Sequence, residues 1–441
     1  MGRPAPCPVA RLPKACETLA MPPKPPKSPK LIVQKFGGTS VGTIERIRNV
    51  AKLMLATQSQ GYQVVGVVSA MSGDTNRLVD LATQLNPQPW SKEYDMLLAS
   101  GEQVSVALLT LAINSIGGKA RGLLGHQLGI ITDSVYSRAR IKQINTDVLL
   151  AELGRGVIPI VAGFQGVDVE NNITTLGRGG SDTSAVAIAA ALQQTGLEVD
   201  CEIYTDVDGV YTTDPRMCAK ARKLKTISYE EMMELAGLGA KVLQIRSVEL
   251  AAKYKVPLHL RSSFDSGAGT RVVSEGPVLE QVVVSGVAAD MNDAKVTIMN
   301  LSDRPGLAFE IFDPLAQASV VVDVIVQASA TDKDGGLSLS FTCPKLDLPR
   351  AIEIVEARLR GPFPKMQITS ESNLAKVSVV GVGMRHHPGV AAKMFGVLAT
   401  AGITIKLIST SEIKITVLVD ADKAKLAVER LHTAFDLDKV E

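Results

Sequence analysis

The sequence predicts an α/β protein, in which a mainly parallel sheet covered by helices is followed by a smaller α+β unit. Between Leu31 and about Phe264, short apolar runs alternate with helical stretches, a pattern typical of parallel sheets with helices on both faces. Stretches rich in Gly and Ser follow several of these runs, at the strand ends where such sheets bind ligands. From about Val282 onward, a pattern recurs after roughly 80 residues. We therefore expect two small repeated units that pack together.

The individual elements follow from apolar periodicity. The expected strands of the first part are 31–34, 64–68, 129–132, 157–161 and 202–205. Its expected helices are 44–56, 94–116 and 184–194. In the second part, 294–298 is similar to 375–379, and the Pro-Gly pair 305–306 recurs at 388–389. Each copy is expected to form a strand, a turn, a helix, two further strands and a helix.

The bulk composition excludes several classes of function. A chain of 441 residues exceeds one ordinary core, so two or three domains are expected. A net charge of +2 and an aromatic content of 4% argue against nucleic-acid binding and base stacking. No apolar run approaches the ~18 residues that cross a bilayer. We therefore expect neither a nucleic-acid nor a membrane partner.

The spacing of cysteine and histidine predicts neither disulfides nor a metal site. The cysteines are odd in number and include no CxxC pair. They are Cys7, Cys16, Cys201, Cys218 and Cys343. Free thiols fit a reducing compartment, which predicts a cytoplasmic location. The adjacent pair His386 and His387 lacks further ligands at suitable spacing, so we interpret it as part of a turn and expect no metal ligands from the protein.

Residues 1–30 form a separate leader. They include nine prolines and scattered basic residues, a composition that predicts disorder. The leader lacks the continuous apolar region of a signal peptide. It is poor in acids but not rich in serine, so a transit peptide, and with it a plastid location, stays an open alternative. Met21 leaves open a second alternative, an internal start site.

The first polar strand end lies in the stretch LIVQKFGGTSVG, from Leu31 to Gly42. Adjacent glycines, here Gly37 and Gly38, allow backbone N–H groups to approach an anion. Lys35 adds a positive charge suited to phosphate. The stretch is therefore either a phosphate cradle or an ordinary strand-to-helix turn with a solvated lysine.

Two further stretches each allow two interpretations. The sequence VVSAMSG, residues 67–73, follows the second strand and is either a phosphate or carboxylate site or a common turn. Glu102 follows Ser100 and Gly101 within an apolar helix. Its carboxylate either receives a substrate ammonium group or lies on an exposed helix face.

The stretch TTLGRGGSDT, residues 174–183, is the strongest local signal. Ser181 or Asp182 is expected to act as the N-cap of an alanine-rich helix, whose N-terminus favours an anion. Arg178 presents a planar group that fits a carboxylate, and Asp182 is positioned to orient Lys35 or a metal-bound phosphate. The alternative is a capped loop with a surface arginine.

The stretch TDVDGVYTTDPR, residues 205–216, concentrates acids in one loop. An EF-hand calcium loop is excluded because Arg216 stands where its twelfth-position Glu is needed. A nucleotide-binding loop is favoured, with Tyr211 near the base or ribose and Arg216 near phosphate. Lys241 is a second lysine among small residues.

Together these motifs resemble the aspartate kinase family. They are KFGGTSVG, VVSAMSG, SGEQVS, TLGRGGSDTSA, EIYTDVDGVYTTDPR, GAKVLQ and STSEIKI. The resemblance implies an amino-acid kinase fold followed by two ferredoxin-like ACT domains. Its implied boundaries are 31–265 for the catalytic domain, 266–281 for a linker, 282–370 for the first ACT domain and 371–441 for the second. A strand at 282–287 is expected to complete the second ACT domain.

The implied reaction converts ATP and L-aspartate, with Mg²⁺ bound to ATP, into 4-phospho-L-aspartate and ADP, the first step toward lysine, threonine and methionine. The attacking carboxylate is already ionised, so catalysis requires positioning and charge neutralisation and no general base. The implied catalytic residues are Lys35 and Asp182. The implied substrate residues are Ser69, Gly73, Thr75, Arg77, Glu102, Arg178, Gly180 and Ser181. The implied nucleotide residues are Lys35, Phe36, Gly37, Gly38, Thr205, Asp206, Tyr211, Asp214, Arg216 and Lys241.

The resemblance also implies amino-acid control by lysine, threonine or both at the ACT domains. The implied effector residues are Asp303, Val321, Asp323, Gln327, Val390, Ala391, Thr404, Ile405 and Glu412. Val321 and Thr404 stand where relatives of this type usually carry Asn. Because a buried effector needs its charged groups satisfied, we expect weakened or altered inhibition, unless backbone groups do most of the holding.

The family also implies a homodimer or higher oligomer formed through the ACT domains, with a separately started ACT-only subunit as an alternative. Three other functions stay open at this point. The first is a related kinase acting on glutamate, acetylglutamate or a nucleotide. The second is a non-catalytic amino-acid sensor, against which the intact Lys35, Arg178 and Asp182 argue. The third is an enzyme whose ACT domains serve only dimerisation.

Overall fold

The computed structural model describes Gly2 and residues 30–87, 90–238, 242–274, 283–329 and 336–439. The leader apart from Gly2 and Lys30, the nucleotide candidate Lys241 and residues 275–282 of the expected linker and strand lie outside the described residues.

The first part of the chain forms the unit for which the resemblance implies catalysis, here named the catalytic unit, and its strands and helices alternate as the apolar periodicity predicts. Its strands are β1 (Leu31–Phe36), β2 (Gln63–Val68), β3 (Ala120–Leu123), β4 (Ile130–Thr132), β5 (Ile141–Ile144), β6 (Ile158–Ala162), β7 (Gln165–Val167), β8 (Ile173–Thr175), β9 (Val199–Thr205), β10 (Thr226–Ser228), β11 (Leu258–Ser262) and β12 (Thr270–Val273). Its helices are α1 (Ile44–Ser59), α2 (Asp74–Leu85), α3 (Lys92–Ser115), α4 (Gly125–Leu128), α5 (Asp147–Gly154), α6 (Gly180–Gln193), α7 (Tyr229–Gly237) and α8 (Ile245–Tyr254).

The main sheet has the strand order β10-β12-β11-β9-β1-β2-β6-β3 among the described residues. β1 is parallel to both β2 and β9, and Lys35 pairs in register with Val67 and Ile203. Antiparallel pairing in this sheet occurs between β11 and β12. The predicted mainly parallel sheet covered by helices is therefore confirmed. Because β1 lies in the middle of the sheet, the ends of β1, β2 and β9 meet at one edge.

One expected strand joins a different sheet, and one boundary prediction is wrong. The strand expected at 129–132 forms as β4, but it belongs to a separate small sheet of order β5-β4-β7-β8. The linker expected from residue 266 contains β12, which pairs antiparallel with β11 in the main sheet. Burial explains the boundary error, since Thr270 and Val272 are inaccessible to solvent. The catalytic unit therefore extends to at least Val273.

The second part forms the unit for which the resemblance implies effector control, here named the regulatory unit. Its strands are β13 (Gly286–Asp290), β14 (Asp293–Leu301), β15 (Ile325–Ser329), β16 (Leu337–Pro344), β17 (Gln367–Glu371), β18 (Leu374–Val380), β19 (Leu407–Thr410) and β20 (Lys414–Asp420). Its helices are α9 (Leu307–Gln317), α10 (Leu348–Leu359), α11 (Val390–Thr400) and α12 (Ala424–Ala434).

The internal repeat forms two four-stranded sheets, of order β15-β16-β14-β17 and β13-β18-β20-β19. In each copy the Pro-Gly turn precedes a helix, with Gly306 or Gly389 in the left-handed region as its N-cap. β13 pairs antiparallel with β18 and thus adds a strand to the second copy from before the first. This strand covers 286–290, whereas 282–287 was expected; residue 282 lies outside the described residues, and Ser285 N–H already donates to Val380 O of β18 at 2.8 Å.

Helix α3 has the length and apolar composition of a membrane span, which differs from the expectation that no segment approaches this limit. It is a core helix of the catalytic unit, packed against α1, α2, β6 and β8. Two of its three acidic residues, Asp95 and Glu102, are buried inside the protein. Length and composition alone therefore do not distinguish this helix from a membrane span, whereas its packing does.

Candidate active site

A buried ion pair marks the end of the central strand. Lys35 lies near the end of β1, and Asp182 lies in the first turn of α6. Lys35 Nζ is 2.6 Å from Asp182 Oδ1, and each residue is only 8% exposed. The structure thus brings together the two residues that the resemblance implies are catalytic, at the edge of the sheet where ligands bind in this type of fold.

The glycine turn after β1 offers fewer N–H groups than the sequence suggests. Gly37 N–H already donates to Tyr204 O at 3.2 Å, so it is not free for an anion. Gly38 and Thr39 have N–H groups without an acceptor among the described residues. A Cβ atom on Gly38 would lie 2.8 Å from Ala70 O. Glycine is therefore needed at position 38, where the turn packs against the loop after β2.

The side chain of Phe36 does not reach this site, in contrast to the expectation. It is buried in the core and stacks on Tyr204, with ring centroids 4.8 Å apart. Alternation along β1 explains the difference, since successive side chains point to opposite faces of the sheet. Lys35 therefore points to the face of the sheet covered by α6, and Phe36 points to the opposite face, covered by α1 and α3.

Glu102 forms a second wall of the site and is not on an exposed helix face. It is 3% exposed on α3, and its Oε1 accepts a hydrogen bond of 2.9 Å from Ala70 N–H. The other oxygen, Oε2, has no hydrogen-bond partner among the described residues. Burial raises the pKa of this carboxyl to about 7. An incoming cation would satisfy the free oxygen and favour the ionised form.

The loop before α6 forms a third wall, although its capping differs from the prediction. The N-cap is Gly179, with φ of 68°, and neither Ser181 nor Asp182 caps the helix. Both side chains lie inside the first helical turn, where the helix dipole favours negative charge. Ser181 packs on Gly163, since a Cβ atom on Gly163 would lie 2.7 Å from the Cβ atom of Ser181. Arg178 is exposed and has no partner among the described residues.

Two residues that were not singled out in the sequence hold this loop in place. Asp95 of α3 accepts hydrogen bonds from Thr175 N–H at 2.6 Å and from Ser137 N–H at 2.9 Å. Arg246 of α8 donates to Leu176 O at 2.7 Å. An acid on the apolar face of a long helix was a usable signal for Asp95. Nothing local distinguishes Arg246, whose partner is 70 residues away in the chain.

The remaining substrate candidates lie on the loop and first turn after β2. Ser69 N–H donates to Phe36 O at 3.1 Å, which joins this loop to β1. Gly73 has φ of 91° and is the N-cap of α2. Thr75 is half-buried in the first turn of that helix, and Arg77 is exposed, 3.7 Å from Asp74. The hydrogen bond of Ser69 therefore fixes this loop at the end of β1, and Gly73, Thr75 and Arg77 follow it at the start of α2.

A cavity of about 880 Å³ lies beside the loop after β9. Four of the nucleotide candidates line it, namely Asp206, Tyr211, Asp214 and Arg216. Thr205 adjoins them through its hydrogen bond to Asp206. Further walls come from α7 through Leu235 and Leu238, and from β13 through Val287 and Ala288. The cavity is thus built from both the catalytic and the regulatory unit.

Arg216 and Tyr211 of this loop already have acidic partners. Arg216 Nη2 is 2.7 Å from Asp214 Oδ2, and this pairing lowers the pKa of Asp214. Tyr211 donates its hydroxyl to Asp208 at 2.9 Å. Among the described residues, no group of three or more His, Cys, Asp or Glu side chains could hold a metal ion.

Comparison with known proteins identifies the family. The model of the amino acid kinase family matches residues 30–262, and an ACT domain model matches residues 377–435. An aspartate kinase of Stutzerimonas stutzeri is 49% identical over 409 residues, covering 92% of this chain and 98% of the relative. The chain belongs to the aspartate kinase family.

Solved aspartate kinases have the same fold. E. coli aspartokinase III in complex with aspartate and ADP is 25% identical, with a TM-score of 0.73, covering 92% of this chain and 99% of that one. The same protein in complex with lysine and aspartate gives a TM-score of 0.71 at 25% identity and the same coverage.

In this member of the aspartate kinase family, the effector candidates fall on both regulatory repeats. The first repeat carries Asp303, Val321, Asp323 and Gln327, which are exposed, and Val321 is 66% exposed. The second carries Val390, Ala391, Thr404, Ile405 and Glu412, of which Val390 is buried in the core and Glu412 Oε2 is 3.4 Å from Arg385 Nε. Val324 and Val326 pack against Leu407, so the two sets of segments are neighbours.

One effector candidate is already engaged. Asp323 Oδ2 is 2.6 Å from Lys376 Nζ, which is also 2.6 Å from Asp293 Oδ2. The Asp323 carboxylate therefore joins the two repeats, and an effector ammonium group would have to share it with a buried lysine.

Proposed function

We propose that this chain is an ATP-dependent aspartate kinase, which transfers the γ-phosphoryl group of ATP to the side-chain carboxylate of L-aspartate. The products are 4-phospho-L-aspartate and ADP. The observation that carries the proposal is the buried Lys35–Asp182 pair, 2.6 Å apart at the carboxyl end of β1. Relatives at 49% identity are aspartate kinases, and a structural relative binds aspartate and ADP.

The chemistry needs charge and alignment more than proton transfer. The substrate carboxylate is the nucleophile and is ionised at neutral pH, so no general base is required. Lys35 neutralises charge that develops on the transferring phosphoryl group. Asp182 holds the Lys35 ammonium in one position through their ion pair. Gly38 and Thr39 offer their free N–H groups to the same phosphate.

Aspartate is held by groups of opposite charge. The free Oε2 of Glu102 accepts the substrate ammonium group, which also offsets the cost of ionising a buried carboxyl. Arg178, exposed and without a partner among the described residues, binds a substrate carboxylate as a planar fork. The first turn of α6, with Gly180 and Ser181, orients the acceptor. Ser69, Gly73, Thr75 and Arg77 complete this side.

The nucleotide occupies the cavity beside the loop after β9. Tyr211 lies against the base or ribose, and Arg216 exchanges its partner Asp214 for phosphate oxygens, with Thr205 and Asp206 close by. Lys241 is proposed on the resemblance alone. Mg²⁺ bound to ATP would supply positive charge against the phosphates. Among the described residues no group of three or more His, Cys, Asp or Glu side chains could hold the ion, so phosphate oxygens and water would be its main ligands.

Regulation belongs to the ACT repeats. A structural relative binds lysine, and we propose lysine, threonine or both as effectors here. We also propose a dimer or higher oligomer formed through these repeats, with a separately started ACT-only subunit as the alternative, and a cytoplasmic location. Val321 and Thr404 replace the amides expected at this site, so we expect weakened or altered inhibition. Tight, ordinary inhibition by lysine plus threonine in a titration would contradict this expectation.

A coupled ADP-release assay tests the proposal. Purified full-length protein is assayed with aspartate, glutamate, acetylglutamate and UMP, each with MgATP, and with aspartate plus lysine, threonine or both. We expect aspartate to give the highest kcat/KM. A higher kcat/KM with another acceptor would contradict the proposal and identify that acceptor as the substrate. Measuring particle size with and without the effectors separates regulation from ACT domains that serve only dimerisation.

A further inference from the structure

Thr212, in the loop that borders the nucleotide cavity, is held on every side. Its N–H donates to Arg222 O at 2.8 Å, and its carbonyl accepts from Val287 N–H of β13 at 2.8 Å. Its hydroxyl oxygen accepts from Arg222 N–H at 2.9 Å. The same oxygen lies 2.9 Å from Nε2 of His432. Thr212 therefore connects the loop to two elements of the regulatory unit, β13 and α12.

The burial of His432 is energetically unfavourable in a way that the burial of an apolar residue would not be. It lies in the last turn of α12 and is fully buried. Its second ring nitrogen, Nδ1, has no partner among the described residues. A buried polar atom without a partner is unfavourable, so an apolar side chain would suit a purely structural position better. The hydrogen bond to Thr212 is the interaction that distinguishes histidine here.

The rest of the loop is also packed into the regulatory unit. Met217 and Cys218 join the apolar core formed by α11, α12 and β18. Arg222 Nε donates to Leu437 O, just after α12, at 2.9 Å. Lys220 Nζ lies 3.5 Å from Asp438 Oδ2. The chain returns to the catalytic unit only after these contacts. The position of the loop therefore depends on the position of α12.

The contact lies directly behind the cavity. Tyr211 and Thr213, the neighbours of Thr212, line the cavity together with Val287. Thr212 is not among the residues that line the cavity, and its hydroxyl contacts His432 of α12 instead. The Thr212 side chain thus faces the regulatory unit, while its neighbours face the cavity.

We propose that His432 is a positioning residue for the nucleotide, which acts through Thr212 to fix the wall of the cavity formed by residues 211–213. The inference rests on the proposed function, because it takes the occupant of the cavity to be ATP. It assigns to a regulatory helix a residue that sets nucleotide affinity. Movement of α12 would then alter the KM for ATP before it alters the Lys35–Asp182 pair.

The test compares His432→Phe, which keeps a flat ring but loses the hydrogen bond, with His432→Gln, whose amide can restore it. We expect His432→Phe to raise the KM for ATP and the dissociation constant of ADP roughly fivefold, the scale of one hydrogen bond. The KM for aspartate and kcat should stay within about twofold. His432→Gln should recover most of the affinity. Arg430→Gln, an exposed change on α12, is the matched control and should change nothing.

A second variant covers the case in which His432→Phe does not fold. Thr212→Val removes the same bond from the catalytic side, and it should raise the KM for ATP without raising that for aspartate. In the double variant the two effects should not add. An unchanged KM for ATP in Thr212→Val, or equal losses for ATP and aspartate, would overturn the inference. Failure of the wild-type protein to bind ADP would instead overturn the proposed function.

Discussion

Lys35 and Asp182 belong to different elements, β1 and α6, yet their charged atoms are 2.6 Å apart. Each residue is largely buried, and burying charges costs free energy that their attraction only partly offsets. Such a pair is weak evidence for stability, so its position at a strand end is better explained by the reaction. Lys35 supplies the charge, and Asp182 determines where that charge lies.

Replacing the lysine should therefore affect turnover and leave the protein folded. We expect Lys35→Ala to lower kcat at least ~10²-fold, the scale of losing one preorganised charge, as measured by ADP release. Lys30→Ala is the matched control, because it removes the 2.9 Å ion pair with Asp200 just before the other end of β1 and should leave kcat unchanged. Near-normal activity of Lys35→Ala would remove this residue from the mechanism.

The raised pKa of Glu102 makes the stability of the empty enzyme depend on pH. Burial raises its pKa from 4.5 to about 7. Because the folded-state pKa is the higher one, ionisation destabilises the folded state. This penalty is absent below about pH 4.5 and complete above pH 7, where it reaches on the order of 3 kcal/mol.

Glu102→Gln removes this titration. Between pH 5 and pH 8, the wild-type protein should lose roughly 2 kcal/mol more unfolding free energy than the variant, as measured by denaturant unfolding without substrate. The variant should also raise the KM for aspartate at least ~10-fold, since it loses the charge that meets the ammonium group. Glu45→Gln, an exposed change on α1, should do neither. Equal pH dependence in wild type and Glu102→Gln would show that this carboxyl does not titrate as described.

Gly179 is needed for two reasons, which a control separates. Its φ is 68°, and a Cβ would lie 1.8 Å from Gln244 Cγ. We expect Gly179→Ala to displace the Arg178 loop, lower the unfolding free energy by more than ~2 kcal/mol and raise the KM for aspartate. Gly196 has φ of 89° with open space around it, so Gly196→Ala should cost only about 1 kcal/mol of backbone strain and spare the KM. If Gly179→Ala and Gly196→Ala changed the unfolding free energy and the KM for aspartate equally, the Gln244 side chain would have moved aside for the new Cβ atom.

Lys376 should be essential for the association of the two ACT repeats. Its removal leaves Asp293, whose pKa burial already raises, and Asp323 without a counterion. We expect Lys376→Met to destabilise the regulatory unit by about 3 kcal/mol in denaturant unfolding and to weaken the response to effectors. The more exposed Lys406 pairs with Glu371 and Asp420, so Lys406→Met should have a smaller effect. If Lys406→Met were the more damaging change, the buried triad would not be the main link.

The sequence by itself determined the sheet-and-helix alternation, the positions of the polar strand ends and the repeat of the regulatory unit. These features depend on periodicity and on turn residues, which act between residues close in the chain. The Pro-Gly turns before α9 and α11 and the apolar β1 are examples. The motifs around Lys35, Glu102 and Arg178 likewise indicated the chemistry, since their residue types are limited to few roles.

Only the tertiary structure decided which strands pair, which residues come into contact and which polar groups already have hydrogen-bond partners. It placed β4 in a separate sheet and β12 inside the expected linker, because strand pairing depends on distant partners. It showed that Gly37 N–H is taken by Tyr204 O and that Gly179, not Ser181 or Asp182, caps α6. His432 lies 220 residues from Thr212 in the chain. No local pattern encodes such a contact, because it forms only when packing brings α12 against the loop beside the cavity.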